Sequence, residues 1–182
     1  MTIYTITLWL YAVMASLVFG ATIYETLVVH PAWSRNPPES FAGFVVPASR
    51  MQIAAFWIPI APAYALSGLA ALALAFRAGT QDGPLVLSST CAVLVVGWTI
   101  VYFRPNVARF LDMRGGHSPS DRLSSEVRQW IAFNSIRAAL VVVSWTGVAL
   151  AVAATRRVKK SSSDEFDRGG ALWRFEAVAK AL

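Results

Sequence analysis

The chain has 182 residues and a formal net charge of +6 at neutral pH, and one domain is the default for this length. Charged residues make up 14% of the chain and apolar residues 56%, whereas a typical soluble domain is about 25% charged. This composition excludes a disordered chain and a disulfide scaffold, argues against an ordinary soluble domain and indicates a membrane protein.

Four apolar runs follow one another along the chain, and each is close to the roughly 20 residues that a helix needs to cross a bilayer. They are residues 6–24, which continue through Glu25 to Val29, and residues 51–76, 85–103 and 130–155. None shows the two-residue alternation of a membrane strand. The sequence therefore predicts an all-α integral membrane four-helix bundle in residues 1–155. Residues 156–182 form a basic, polar tail, for which a short amphipathic helix and a flexible segment are alternative interpretations.

Prolines and charges predict the helix ends and the topology. His30-Pro31 and Arg104-Pro105 are expected to end the first and third helices. Four spans place the loops after the first and third helices at one end of the bundle, which we call the loop 1–2 end, and both termini at the other. The basic cluster 156–160 directly follows the last run, which favours cytoplasmic termini. Because much of the positive charge flanks apolar runs, no nucleic-acid partner is expected.

A few polar side chains fall within the apolar runs, where insertion of an ionisable group costs about 2.5–3.5 kcal/mol. Glu25 lies late in the first run, on the same helix face as Tyr11, and Arg137 lies early in the fourth, on the same face as Asn134 and Trp130. Since Glu25 and Arg137 lie at similar depth near the loop 1–2 end, we expect them to form an ion pair.

Other side chains are expected near the same end. Arg104 and Asn106 follow the third run, and Trp57 lies beside two prolines in the second, where a kink often borders a cavity. Each has a structural alternative. The polar residues could form a hydrogen-bonded cluster that only stabilises the bundle. Trp57 could pack in an ordinary core, and Arg137 could reach out to lipid headgroups.

The two histidines, His30 and His117, are expected at the loop 1–2 end as well. Together with Glu25 they are weak candidates for a copper or iron site, although Glu25 and His30 point in different directions on a continuous helix. A haem bundle is a further alternative. The single cysteine, Cys91, excludes an internal disulfide and a cysteine-rich zinc site.

Three short motifs resemble the anthrone-oxygenase-like family of small four-helix membrane proteins, and the resemblance covers about residues 6–155. They are Tyr24-Glu25 followed by Pro31 and Trp33, Pro105-Asn106 before Phe110-Leu111, and Trp130-x-x-x-Asn134-x-x-Arg137. In the family the Pro and Asn of the second motif are often separated by one residue, whereas here they are adjacent.

The resemblance implies a monooxygenase that converts a polycyclic phenolic, anthrone-like substrate to a quinone with dioxygen. Glu25 is the preferred base, His30 the reserve base, and Arg137 the cation that stabilises the enolate. The expected substrate-binding residues are Tyr11, Trp33, Trp57, Arg104, Asn106, Trp130 and Asn134. No nucleotide-binding fingerprint is present, so no tightly bound flavin or nicotinamide is expected.

Two other functions remain open from the sequence. One is a metal- or haem-dependent membrane redox enzyme built around His30 and His117. The other is a non-catalytic membrane partner or transport subunit. The expected partners are the lipid bilayer and a hydrophobic aromatic small molecule, and association of several copies is compatible with the sequence.

Overall fold

The computed structural model shows an all-α chain. It describes residues 2–35, 37, 40, 53–80, 83–112 and 121–179. Only the backbone is described at residues 33, 53–54, 111–112, 121–122 and 157–179. The helical elements are α1 (Ile3–Tyr24), π1 (Glu25–Val29), α2 (His30–Ser34), α3 (Ile53–Arg77), α4 (Gly83–Trp98), π2 (Thr99–Phe103), α5 (Arg104–Asp112) and α6 (Asp121–Ala179).

Four stretches of these helices are long and apolar enough to cross a membrane. We number them spans 1 to 4: Ile3–Ala32, Ala55–Arg77, Gly83–Phe110 and Leu123–Arg156. Their outer faces carry large apolar side chains, such as Ile58 and Val101, which are 71% and 78% exposed. A soluble protein does not leave apolar surface of this extent in water, so lipid is its natural solvent. The predicted fold class, an integral membrane four-helix bundle, is confirmed.

The four spans form a closed ring in chain order. Span 1 packs on span 2, span 2 on span 3, span 3 on span 4, and span 4 returns to span 1. Along the centre of this ring lies a core of mostly small aliphatic side chains with two tyrosines, Tyr11 and Tyr64, both almost fully buried. Since lipid is as apolar as this core, close packing and hydrogen bonds have to hold the spans together.

One hydrogen-bonded cluster takes a hydroxyl from every span. The Tyr11 hydroxyl lies 2.6 Å from Ser88 Oγ and 3.0 Å from Ser144 Oγ, and the Tyr64 hydroxyl donates to Ser144 Oγ. The two serines in turn donate to each other's backbone carbonyls. We call these four residues the hydroxyl cluster. Every hydroxyl in it has a hydrogen-bond partner, as buried polar groups in an apolar medium require.

Two glycines allow helices to approach closely beside this cluster. A Cβ atom on Gly147 would lie 2.6 Å from the Pro84 carbonyl oxygen, and one on Gly68 would lie 2.9 Å from the Tyr11 ring. Glycine also ends span 2, because Gly79 has a φ of +69° and the Thr80 N–H bonds back to the Ala75 carbonyl, the geometry of a glycine C-cap.

The expectation that Pro31 and Pro105 end their helices is wrong. In both places the helix continues after one wide π turn, in which the N–H of the residue before proline donates five residues back: His30 to Glu25 and Arg104 to Thr99. A proline lacks an N–H and its ring crowds the preceding turn, and the wider turn accommodates it. In a bilayer an interrupted helix would expose unpaired backbone groups to lipid, which favours continuation.

The last helix continues beyond span 4. Its backbone is helical from Asp121 to Ala179 without interruption, so the basic cluster and the expected amphipathic segment belong to one long helix with the span.

Candidate functional site

The candidate site lies at the loop 1–2 end, where the two π turns begin. Glu25 is the first residue of π1 and Thr99 the first of π2. Single π turns inside α-helices occur frequently at functional sites, and each of these is set by a proline shortly after it. The two side chains meet through Arg137 of span 4.

The expected ion pair between Glu25 and Arg137 is present. Arg137 Nη2 lies 3.3 Å from Glu25 Oε2, and the two side chains are only 9% and 13% exposed. The other carboxylate oxygen, Oε1, accepts a hydrogen bond of 2.6 Å from the Trp57 indole N–H. The carboxylate is therefore held on both oxygens, by a cation from span 4 and an indole from span 2.

Arg137 makes further contacts that fix its guanidinium. Its Nη1 donates to Thr99 Oγ1 at 3.3 Å, and its charge lies 4.8 Å from the Phe103 ring centre and 6.0 Å from that of Trp57. Aromatic faces at these distances attract a cation. The remaining donor, Nε, is buried and has no hydrogen-bond partner in the part of the chain that the structure describes. Arg137 thus does not reach out to headgroups.

One turn away along span 4, Asn134 contacts His30 of span 1. The Asn134 Nδ2 lies 3.1 Å from His30 Nδ1, and the His30 ring packs edge-on against Trp130 with ring centres 5.1 Å apart. With the amide N–H donating, Nδ1 is the acceptor and a neutral imidazole carries its proton on Nε2. Asn134 Oδ1 is buried and has no hydrogen-bond partner among the described residues.

A small cavity of about 10 Å³ adjoins the ion pair. It is lined by residues of all four spans: Val18, Thr22, Trp57, Ala61, Tyr64, Val95, Val96, Thr99 and Arg137. A space of this size admits one molecule about as wide as water, whereas a three-ring aromatic compound does not fit.

The structure brings together Glu25, Arg137 and Trp57, and it places His30, Asn134 and Trp130 beside them. The other expected site residues lie elsewhere. Tyr11 belongs to the hydroxyl cluster, the side chain of Arg104 is exposed, and Asn106 bonds to the Tyr102 carbonyl and to Arg109. The Trp33 side chain and all of His117 lie outside the described residues.

Two contributors to the site were missed in the sequence, Thr99 and Phe103. They are the first and last residues of the π turn before Pro105, and the signal that could have found them is the repetition of one pattern. In spans 1 and 3 alike, a proline follows six residues after the first residue of the π turn, Glu25 or Thr99.

No group of three or more His, Cys, Asp or Glu side chains that could hold a metal ion occurs within the described residues. Since His117 is not among them, the suggested site of His30, His117 and Glu25 stays a prediction.

The fold and the site define a class: a four-span all-α membrane protein with a buried, hydrogen-bonded carboxylate–guanidinium pair at one end. Comparisons of the chain with protein-family models, with curated proteins and with solved structures give no match. The function therefore has to be argued from the site itself.

Proposed function

We propose that the protein is a membrane-embedded oxygenase that converts a polycyclic phenolic, anthrone-like compound to a quinone with dioxygen. One observation carries this proposal. A carboxylate and a guanidinium are held together inside an apolar bundle, and beside them two buried polar atoms, Asn134 Oδ1 and Arg137 Nε, have no hydrogen-bond partner in the described part of the chain. An acceptor and a donor left unpaired in an apolar site are what a phenol or an enolate would satisfy.

The reaction needs a base, a cation and exclusion of water. An anthrone methylene loses a proton to a carboxylate, and the electrons move onto the ring oxygen as an enolate. Glu25 is the base in this scheme, and Arg137 stabilises the oxyanion as the proton leaves. Dioxygen then oxidises the enolate, a carbon–oxygen bond forms, and loss of water leaves the carbonyl. The balance is CH₂ + O₂ → C=O + H₂O.

Glu25 is preferred to His30 as the base because of their hydrogen bonds. His30 Nδ1 is engaged by the Asn134 amide, and its other nitrogen carries the proton in the neutral ring. A carboxylate oxygen keeps a second lone pair after accepting one hydrogen bond, so Glu25 can still take a proton. Asn134 then positions the far end of the substrate through Oδ1, which has no hydrogen-bond partner among the described residues.

The aromatic side chains around the pair support a flat ligand. Trp57 and Phe103 flank Arg137, and Trp130 packs on His30. The present cavity holds only one small molecule, so a three-ring substrate binds only when other side chains around the ion pair move. The substrate class is apolar enough to arrive from the bilayer.

We also propose that both termini face the cytoplasm. This orientation is supported by the basic cluster 156–160 beside the end of span 4, because positive charge next to a span is retained on the cytoplasmic side.

The test uses purified protein in lipid nanodiscs with an anthrone as substrate. Without oxygen, the wild type is expected to form the coloured enolate, and with oxygen to consume dioxygen and release the quinone. Glu25→Gln keeps the shape and the Trp57 hydrogen bond but removes the base, so turnover should fall by about 10²-fold or more while substrate binding persists.

Glu126→Gln is the matched control. It makes the same chemical change in an ion pair with Arg109 whose side chains are 23% and 47% exposed, and turnover should be unchanged. Normal turnover in Glu25→Gln together with an inactive His30→Ala would transfer the role of base to His30. Absence of both enolate and quinone with every anthrone tested would contradict the proposed activity.

A further inference from the structure

The cavity beside Arg137 has an unusual lining for a space of its size. Four of its nine lining residues are the aliphatic residues Val18, Ala61, Val95 and Val96. Three of the polar lining side chains already donate hydrogen bonds elsewhere: Trp57 to Glu25, Thr99 to the Val95 carbonyl, and Tyr64 to Ser144. The cavity is thus mostly apolar, although it lies next to a charged pair.

The two polar lining residues that remain are Thr22, whose hydroxyl is neutral, and Arg137, which carries the charge. Arg137 lines the cavity, its side chain is nine-tenths buried, and its Nε has no hydrogen-bond partner within the described residues. A lining that is largely aliphatic offers a water molecule few of the two to four polar partners that it needs to remain in a cavity. It suits instead a small molecule that enters neutral and apolar and acquires negative charge during the reaction.

We propose that this cavity is the binding site for dioxygen. The inference rests on the proposed oxygenase function and deepens it. Dioxygen is a neutral diatomic of about the size that the cavity admits, and it partitions into apolar surroundings such as these four aliphatic side chains. On reduction the negative charge passes from the enolate to dioxygen, so the guanidinium of Arg137 stabilises first the enolate and then superoxide. The guanidinium is fixed in place beforehand by Glu25, Thr99 and Phe103. Preorganised charge of this kind stabilises an anion without reorganisation at the moment of reaction.

The electron and atom balance is as follows. The substrate enolate gives one electron to dioxygen, which becomes superoxide beside Arg137, while the enolate becomes a carbon radical. The two radicals combine to form a carbon–oxygen bond, and the resulting peroxide anion takes up the proton that Glu25 removed. A second proton leaves the same carbon, the oxygen–oxygen bond breaks, and the hydroxide that departs takes up this proton as water.

Xenon is a suitable probe for the cavity because it is apolar, has a diameter close to the length of dioxygen and is visible in a crystal structure. In crystals of the full chain under xenon pressure, a xenon atom is expected between Ala61, Val95 and Arg137. The variant Ala61→Leu fills the cavity and should exclude xenon. Ala73→Leu makes the same change on the same span, where the side chain is exposed to lipid, and should retain it.

The kinetic readout is the dependence of turnover on dissolved oxygen. Ala61→Leu should raise the KM for oxygen by about tenfold or more, with enolate formation under anaerobic conditions unchanged, because the lost interaction involves only dioxygen. Val95→Leu, a smaller filling change, serves if Ala61→Leu does not fold. Ala73→Leu should behave as the wild type in both measurements.

The outcomes separate the two proposals. Ordered water in the cavity under xenon, or an unchanged KM for oxygen in variants that exclude xenon, would overturn the dioxygen site while enolate formation still supports the oxygenase. Failure of the wild type to form any enolate would instead contradict the oxygenase, and the xenon structure would still decide whether the cavity accepts an apolar gas.

Discussion

The Glu25–Arg137 pair and the Arg109–Glu126 pair differ in both burial and length. Comparing them tests which of the two properties decides how much an ion pair contributes to the free energy of unfolding. The surface pair is the shorter, at 2.9 Å against 3.3 Å. If distance decided the strength of an ion pair, the surface pair would contribute more. If burial decides, the buried pair should dominate, because its side chains are 9% and 13% exposed whereas those of the surface pair are 47% and 23% exposed.

The magnitudes follow from what each single variant leaves behind. Arg137→Met leaves the Glu25 carboxylate with only the Trp57 N–H, and breaking a buried pair in this way costs about 3–5 kcal/mol of the free energy of unfolding. Glu25→Gln leaves the guanidinium with Thr99 and the Phe103 ring and should also destabilise. The double variant leaves no buried charge in the pair, so its loss should be smaller than the sum of the two single losses by about 2 kcal/mol or more.

The same cycle at the surface, with Arg109→Met and Glu126→Gln, should give a coupling of about 0–1 kcal/mol. Both cycles are measured by equilibrium unfolding in mixed micelles, with secondary structure followed by circular dichroism. A coupling at the surface pair equal to that of the buried pair, or single variants at Glu25 and Arg137 whose effects simply add, would refute the reasoning. It would mean that the buried charges are solvated by something other than each other.

Two further predictions concern packing and topology. Gly147→Ala should lower the free energy of unfolding by about 1–3 kcal/mol, because the added Cβ would lie 2.6 Å from the Pro84 carbonyl oxygen. Gly97→Ala is the control and should not lower it, because no atom lies within 4 Å of its added Cβ. Equal stability of the two variants in the same micelle assay would contradict the close helix approach. With single cysteines introduced at Ser40, Ser118 and Ser162, an impermeant maleimide should label the first two from outside intact cells and the third only after lysis. The native Cys91 is buried and should not be labelled. Labelling of positions Ser118 and Ser162 from the same side would rule out four spans.

The fold could be predicted from the sequence because a bilayer requires every backbone polar group within it to be hydrogen-bonded inside the protein. A run of about 20 apolar residues has to be helical in lipid, and four such runs leave little choice of architecture. The Glu25–Arg137 pair was predictable for a related reason. Two opposite charges at the same depth in an apolar medium cost less together than apart, so their meeting follows from the depth alone.

The prolines show where the same reasoning failed. In water, His30-Pro31 would be a reasonable helix end, because the freed backbone groups would bond to solvent. In lipid the chain keeps its helix and widens one turn, which shifts Glu25 and Thr99 relative to the residues that follow. The positions of Arg104 and Asn106 could not be derived from a regular helix for this reason. Nor could the pairing of Tyr11 with Ser88 and Ser144, which depends on how closely three helices pack.

The two polar regions of the bundle, the hydroxyl cluster and the residues around Arg137, differ in how completely their polar atoms are hydrogen-bonded. This difference favours a structural role for the first region and the proposed function for the second. Arg137 and Ser144 are two turns apart on one helix, which is about 10 Å. Around Ser144 every hydroxyl of the hydroxyl cluster is bonded to another, and removing any one would only loosen the bundle. Around Arg137 the bonding is incomplete: Nε and Asn134 Oδ1 are buried without partners among the described residues. An unpaired buried polar atom costs about 1–3 kcal/mol, and a protein that needed only a stable bundle would gain by an apolar side chain there. In the proposed oxygenase this cost is offset when the substrate binds, which favours a ligand site at the loop 1–2 end.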